Sequence, residues 1–205
     1  MKKLFLGALI ALSLTIMPNV KAISEDDLPV ITDHEKVTVY LFRGNNCIHC
    51  HHFLEYFAEN YYKYQDYFDI VTYEVSSEDN YYLMQSVKER MDKDTDGSVP
   101  YIVIGENFDQ LGFGTDGTDI IEEALAAYQD ESYNDIVKDI IEEEDYKPNA
   151  TSLQEACDEV EPKIETVGLN GEDPDAGLSD GVIVAIIFGV LILGFGGLVL
   201  YSRKK

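Results

Sequence analysis

Cys47 and Cys50 stand at the junction of two hydrophobic periods. Before them, Lys36-Val37-Thr38-Val39-Tyr40-Leu41-Phe42 is β-branched and aromatic, the composition of a buried strand. After them, Cys50, Phe53, Leu54, Phe57, Ala58 and Tyr61 repeat at helical spacing and form one continuous apolar face. Arg43-Gly44-Asn45-Asn46 breaks the strand, and Asn45 or Asn46 is the expected cap of the helix. The chain must pass from a core strand into an amphipathic helix within these few residues, and both thiols must sit at that passage.

The rest of the body alternates in the same way. Residues 68–75 read as a second strand. A helix over about 80–91 buries Leu83, Met84, Val87 and Met91. After a polar loop come Val99-Pro100 and the strand Tyr101-Ile102-Val103-Ile104. Gly105-Glu106-Asn107 then turns the chain into a hairpin strand over 108–112. A helix over about 118–130 buries Ile120, Ile121, Ala124, Leu125 and Tyr128, and a further amphipathic stretch carries Ile136, Val137, Ile140 and Ile141. A strand–helix–strand unit is expected to be parallel and the closing hairpin antiparallel. The expected fold class is α/β, one mixed four-stranded sheet with helices on both faces.

Both ends read as targeting segments. Lys2 and Lys3 precede a short apolar run that Pro18 breaks, and small residues follow near Ala22. Residues 1–22 are therefore expected to be a secretory signal peptide. Residues 181–201 carry no charge and would span roughly 31 Å as a helix, matching a bilayer core of about 30 Å. The basic tail 202–205 is expected in the cytoplasm. No LPxTG-like pentapeptide precedes Gly181, so the segment reads as a retained single-pass anchor. The expected division is 1–22 signal peptide, 23–35 acidic N-terminal extension, 36–145 folded domain, 146–180 acidic stalk, 181–201 transmembrane helix and 202–205 tail. One short helix is expected in the stalk, where Leu153, Ala156, Cys157 and Val160 share a face. The expected location is the cell membrane of a bacterium, with the body outside the cytoplasm.

Charge narrows the partners. All 39 acidic residues and only nine of the 15 basic ones lie in 23–180, a formal charge of −30. Nucleic acid is excluded, because phosphate contacts need basic surface. Three cysteines in an exported chain lie where disulfides persist. Cys157 is left over and is expected to pack on its small apolar face.

The pair itself carries the chemistry. At a helix N-terminus, free N–H groups and the helix dipole stabilise an anion, so Cys47 is the expected nucleophile. Cys50, one turn in on the apolar face, is the shielded thiol that resolves a mixed disulfide. Strand, loop, C-x-x-C, amphipathic helix and Val-Pro ahead of a hairpin together resemble the thioredoxin-fold oxidoreductases. That resemblance covers about 36–128. It implies that Pro100 is cis and faces the cysteines, and that Val99 pairs with the substrate backbone as an added strand. His49 resembles the histidine between the cysteines of DsbA-type and protein-disulfide-isomerase-type oxidants, where a cation beside the thiolate depresses its pKa. The helix terminus, His49 and Arg43 are thus the groups expected to stabilise the Cys47 thiolate, which favours the oxidising direction. Ile48 stands where the family has glycine or proline, Asn46 where it has tryptophan, and Leu41 where it often buries an acid. The implied partners are thiols or disulfides of exported proteins, a membrane redox partner, and the membrane through the C-terminal helix. No cofactor beyond the redox-active Cys47–Cys50 disulfide is expected.

Other readings place other demands on these residues. Cys47-Ile48-His49-Cys50-His51 satisfies C-x-x-C-H, the attachment pattern of c-type haem, but that reading leaves the Val-Pro hairpin unexplained. Cys47, Cys50, His51 and His52 are metal-ligand types, yet neighbours on one helix turn cannot all converge on an ion. Asp92-Lys93-Asp94-Thr95-Asp96-Gly97 mimics the start of a calcium loop, but its twelfth position is Val103 and a strand follows. A solvated acidic loop is expected there. A non-catalytic accessory module of a transport or secretion system is the other functional class, since fold does not fix function.

Overall fold

The computed structural model describes residue 23, residues 28–32 and residues 34–169. The expected signal peptide, transmembrane helix and basic tail lie outside the described residues. Among the described residues no helix is long and apolar enough to cross a membrane. Residues 28–32 hold no helix or strand.

Within 34–169, β1 (Val37–Arg43) is the central strand. It pairs in parallel with β2 (Phe68–Glu74), Val37 opposite Phe68, and antiparallel with β3 (Tyr101–Ile104), Val39 opposite Ile104. β4 (Phe108–Leu111) closes the expected hairpin on β3. Gly105 makes that turn possible. Its φ is +55°, and a Cβ there would lie 2.8 Å from the Tyr133 ring. Five α-helices complete the domain: α1 (Ile48–Asn60), α2 (Glu78–Arg90), α3 (Thr118–Gln129), α4 (Ile136–Glu144) and α5 (Leu153–Glu159).

 The last of these, α5, spans Leu153–Glu159 and opens on a capping box between Ser152 and Glu155.

Side chains alternate across β1. Tyr40 and Phe42 point to the face where Tyr73, Tyr101 and Val103 meet Leu83, Met84 and Val87 of α2 and Ile136, Val137 and Ile140 of α4. Val39, Leu41 and Arg43 point to the other face, against which α3 and α5 pack. α1 lies against α5 and buries Cys50, Phe53, Leu54, Phe57 and Ala58. With both faces covered, β1 has no polar side to show, which is why its sequence reads as one apolar run.

The sheet has five strands in the order β4-β3-β1-β2-β5, not four. The fifth is β5 (Ala150–Ser152), antiparallel to β2 with Thr151 opposite Thr72. The segment beginning at residue 146 is therefore not a stalk over its first part. Two polar devices fasten it. The Thr72 and Thr151 hydroxyls lie 2.8 Å apart. Asn80, 1% exposed, donates to Glu74 O and Asn149 O and accepts from Asn149 N–H. The expected short helix is present as α5, and its stripe of Leu153, Ala156, Cys157 and Val160 is buried. Such a stripe needs an apolar partner, and α1 supplies it. Beyond α5, Val167 N–H donates to Ala58 O at the far end of α1.

This attachment is testable. Leu153 is 2% exposed, so Leu153→Ala should destabilise the domain by about 2–5 kcal/mol. The exposed neighbour change Asp158→Ala should stay within about 0.5 kcal/mol. Denaturant unfolding measures both. Equal, near-zero effects would return the segment to a stalk.

Candidate active site

Cys47 is itself the N-cap of α1; neither Asn45 nor Asn46 takes that place. Its backbone is extended, with φ −94° and ψ 108°. Its Sγ accepts the Cys50 N–H at 3.1 Å, and its carbonyl accepts from His51 N–H, also at 3.1 Å. The sulfur thus fills the role that a serine or aspartate oxygen fills at other helix starts. It faces the orphan N–H groups and the positive end of the helix dipole. No acidic side chain in the first turn competes for them.

Cys47 and Cys50 are joined in a disulfide, with Cα atoms 5.2 Å apart. The two sulfurs differ in access. Cys50 is fully buried on the apolar face of α1, whereas Cys47 is half-buried. Ile48, between them, is 61% exposed and leaves an apolar side chain beside the disulfide.

The Val99–Pro100 peptide is cis, as expected from the resemblance, and Val99 O lies 3.6 Å from Cys47 Sγ. Pro100 O is taken by Gly112 N–H at the end of the hairpin. Gly44, in the loop before Cys47, sits against both partners. A Cβ there would meet Val99 Cγ2 at 3.6 Å and Cys47 Cβ at 3.7 Å. Three of the expected residues, Cys47, Cys50 and Val99, therefore share one place, with Pro100 adjoining.

His49 is exposed, and its Nδ1 lies 2.9 Å from Phe113 O. A carbonyl only accepts, so Nδ1 carries the proton and donates. The ring also meets the edge of His52 at 5.8 Å between centroids. His49 is thus fastened to the segment that follows β4, on the same turn of helix as the disulfide.

Arg43 does not serve Cys47 as a free cation. Its side chain is fully buried, and its guanidinium donates to Thr72 Oγ1, Asn45 Oδ1 and Glu159 Oε2. The carboxylate of Glu159 meets its charge. Cys157, on the same helix as Glu159, is buried, and burial pushes its thiol up to about 12. A neighbouring Asp158 adds to that rise and Arg43 opposes it. Cys157 is held as a neutral thiol and packs as expected.

Sequence reasoning missed Lys88. It lies 2% exposed on α2, with its Nζ 5.1 Å from the centre of the Tyr101 ring. The ammonium donates to Asp96 O, Asp96 Oδ1 and Ser98 O at 2.9, 2.9 and 3.1 Å. This fixes the chain just ahead of Val99 and Pro100. The available signal was a lysine one turn after Met84 and next to Val87, on the apolar side of the helix, where a charge must find buried acceptors. In the acidic loop, the cation that Asp96 meets is Lys88.

The residues permit a limited chemistry. His51, the ring that the C-x-x-C-H pattern would offer to a haem iron, has its Nε2 2.9 Å from Asn45 O. Among the described residues no three His, Cys, Asp or Glu side chains gather closely enough to hold a metal ion. A capped, half-exposed sulfur bonded to a buried one is a pair suited to thiol–disulfide exchange. Comparison with protein-family models, with curated proteins and with solved structures finds no match.

The Lys88 clamp predicts a pH dependence. Hydrogen bonds from Lys88 and Ser98 hold the Asp96 carboxyl down at about 2, against an ordinary 3.8. Between those values the folded protein binds fewer protons than the unfolded chain. The stabilisation is complete above about pH 4 and is lost as pH falls toward 2. NMR titration of Asp96 should show the low midpoint, and Lys88→Met should move it up toward the ordinary value. Stability should also fall less steeply with acid in that variant. An ordinary Asp96 midpoint in the wild type would show that the clamp is not formed.

Proposed function

We propose that this chain is a thioredoxin-fold thiol–disulfide oxidoreductase that works outside the cytoplasm and favours the oxidising direction. The observation that carries this reading is the Cys47 sulfur held on the Cys50 N–H at the start of α1, beside the cis Val99–Pro100 bond. The mixed sheet with flanking helices is compatible with that fold. The apolar ends of the sequence support export and a single membrane anchor at 181–201.

A substrate thiolate attacks Cys47 Sγ, the more accessible sulfur. The Cys47–Cys50 bond breaks, Cys50 leaves as thiolate and takes a proton, and a mixed disulfide joins Cys47 to the substrate. A second substrate thiolate attacks the substrate sulfur of that bond. Cys47 leaves as a thiolate. Two electrons pass from the substrate dithiol to the pair; of the two protons the dithiol gives up, one ends on Cys50 and the other in solvent. A membrane redox partner bearing a disulfide takes the two electrons back and restores the bond.

Each protein group has a task in this sequence. The helix N-terminus stabilises the departing Cys47 thiolate. His49 places a protonatable ring on the same turn and lowers the thiolate energy further when charged. The Val99 backbone offers the departing substrate a strand partner, and Pro100 holds that backbone against the sulfur. Leu41 supplies no carboxylate under the pair, so nothing acidic there opposes the thiolate. The substrates are thiols of exported proteins. The acidic body favours basic or neutral ones.

The two cysteines should separate cleanly in trapping experiments. Cys50→Ser should leave a nucleophile without a resolver and accumulate mixed disulfides, seen on non-reducing gels. Cys47→Ser should form none and should exchange nothing. The opposite pattern would reverse the roles. Inactivity of the wild type toward every dithiol and disulfide would favour a non-catalytic accessory module instead.

A further inference from the structure

Arg43 is the last residue of β1 and one of the largest fully buried side chains in the domain. A buried cation is tolerated only when its donors are met and its charge is balanced. Here Nε donates to Thr72 Oγ1 at 3.0 Å, one terminal nitrogen to Asn45 Oδ1 at 2.6 Å, and the other to Glu159 Oε2. Thr72 lies on the neighbouring strand, Glu159 at the end of α5, and Asn45 in the loop that delivers Cys47. One planar fork therefore ties three parts of the fold together, a geometry that lysine cannot reproduce.

The Asn45 connection is the informative one. Its side chain is held from below by Arg43, and its carbonyl lies 2.9 Å from His51 Nε2, on the first turn of α1. The carbonyl of the preceding Gly44 accepts the Cys47 N–H at 3.2 Å. The loop is fastened at Gly44 and at Asn45, and what it delivers is the extended backbone that lays Cys47 Sγ on the Cys50 N–H.

We propose that Arg43 is a positioning residue for Cys47, set by Glu159 at the end of α5 and acting through Asn45. This rests on the disulfide-exchange reading of the site. Arg43 touches neither sulfur's substrate nor the reacting bond. It fixes the loop, and Glu159 keeps its charge from reaching the thiolate. The β5–α5 segment is on this account part of the redox machinery, because it carries the counter-charge.

Two kinds of loss then act in opposite directions. Asn45→Ala removes the loop clamp and changes no charge. Cys47 loses its hold on the helix terminus, its thiolate pKa rises, and the reduced form is disfavoured. Glu159→Gln keeps an acceptor for Arg43 and removes the counter-charge. The uncompensated buried cation favours the thiolate, so the pKa falls and the reduced form gains. Arg43→Lys keeps the charge without the fork and should behave as Asn45→Ala does.

The test is the glutathione equilibrium constant of the Cys47–Cys50 pair, measured with Cys47 thiolate absorbance against pH for the full chain and these variants. The expected result is a shift of about tenfold in each direction, which is about 30 mV for a two-electron couple. General loosening of the fold would move both variants the same way. Shifts of equal sign, or both constants within twofold of wild type, would overturn the proposal while leaving the exchange reading intact. A wild-type pair that does not equilibrate with glutathione would overturn the exchange reading and this inference together.

Discussion

The contact between Cys47 Sγ and the Cys50 N–H organises the site. It is an N-cap in which sulfur replaces oxygen, and it sets several things at once. It starts α1, giving the Cys50 N–H a side-chain acceptor beside the Cys47 carbonyl, which that N–H also reaches at 3.0 Å. It places the sulfur at the positive end of the helix dipole. It turns Cys50 inward, because residue three of the same turn falls on the apolar stripe with Phe53 and Leu54. The asymmetry between an accessible and a buried sulfur thus follows from the helix geometry and needs no further device.

Two buried cations hold the loops on either side of this contact. Arg43 fastens the loop that enters Cys47, through Asn45. Lys88 fastens the loop that enters Val99, through Asp96 and Ser98. The loops meet where Val99 O lies 3.6 Å from the Cys47 sulfur. In a domain so rich in acid, a buried base readily finds a carboxylate, and both cations here have one. Each pair is half-exposed on its acidic side, so the carboxylate keeps part of its hydration while the cation organises the backbone around it.

Much of this was legible in the sequence where a local period or a local spacing carried it. The apolar run of β1, the helical stripes of α1, α2 and α3, the hairpin at Gly105 and the C-x-x-C pair all announce themselves within a few residues. What was not legible depends on distance along the chain. β5 has three residues, too few for a strand period, and its partner Thr72 lies 79 residues from Thr151. Glu159 lies 116 residues from Arg43. Prolines and acidic composition made the segment from Tyr146 look like a linker, while its packing is decided by one four-residue stripe against α1. The cap was missed for a chemical reason: cysteine is not among the residues that usually cap helices, and Asn45 and Asn46 are.

The account turns on the Cys47 thiolate being stabilised where it stands. Thiolate absorbance of the fully reduced protein against pH, with Cys50→Ser to isolate the single sulfur and His49→Ala alongside, measures this directly. Cys157 is buried and should stay silent until far higher pH. The account predicts a Cys47 midpoint well below the free-thiol value of about 8.5, rising when His49 is removed. A wild-type midpoint at or above that value would contradict it, because neither the helix terminus nor the loops around it would then be stabilising the charge.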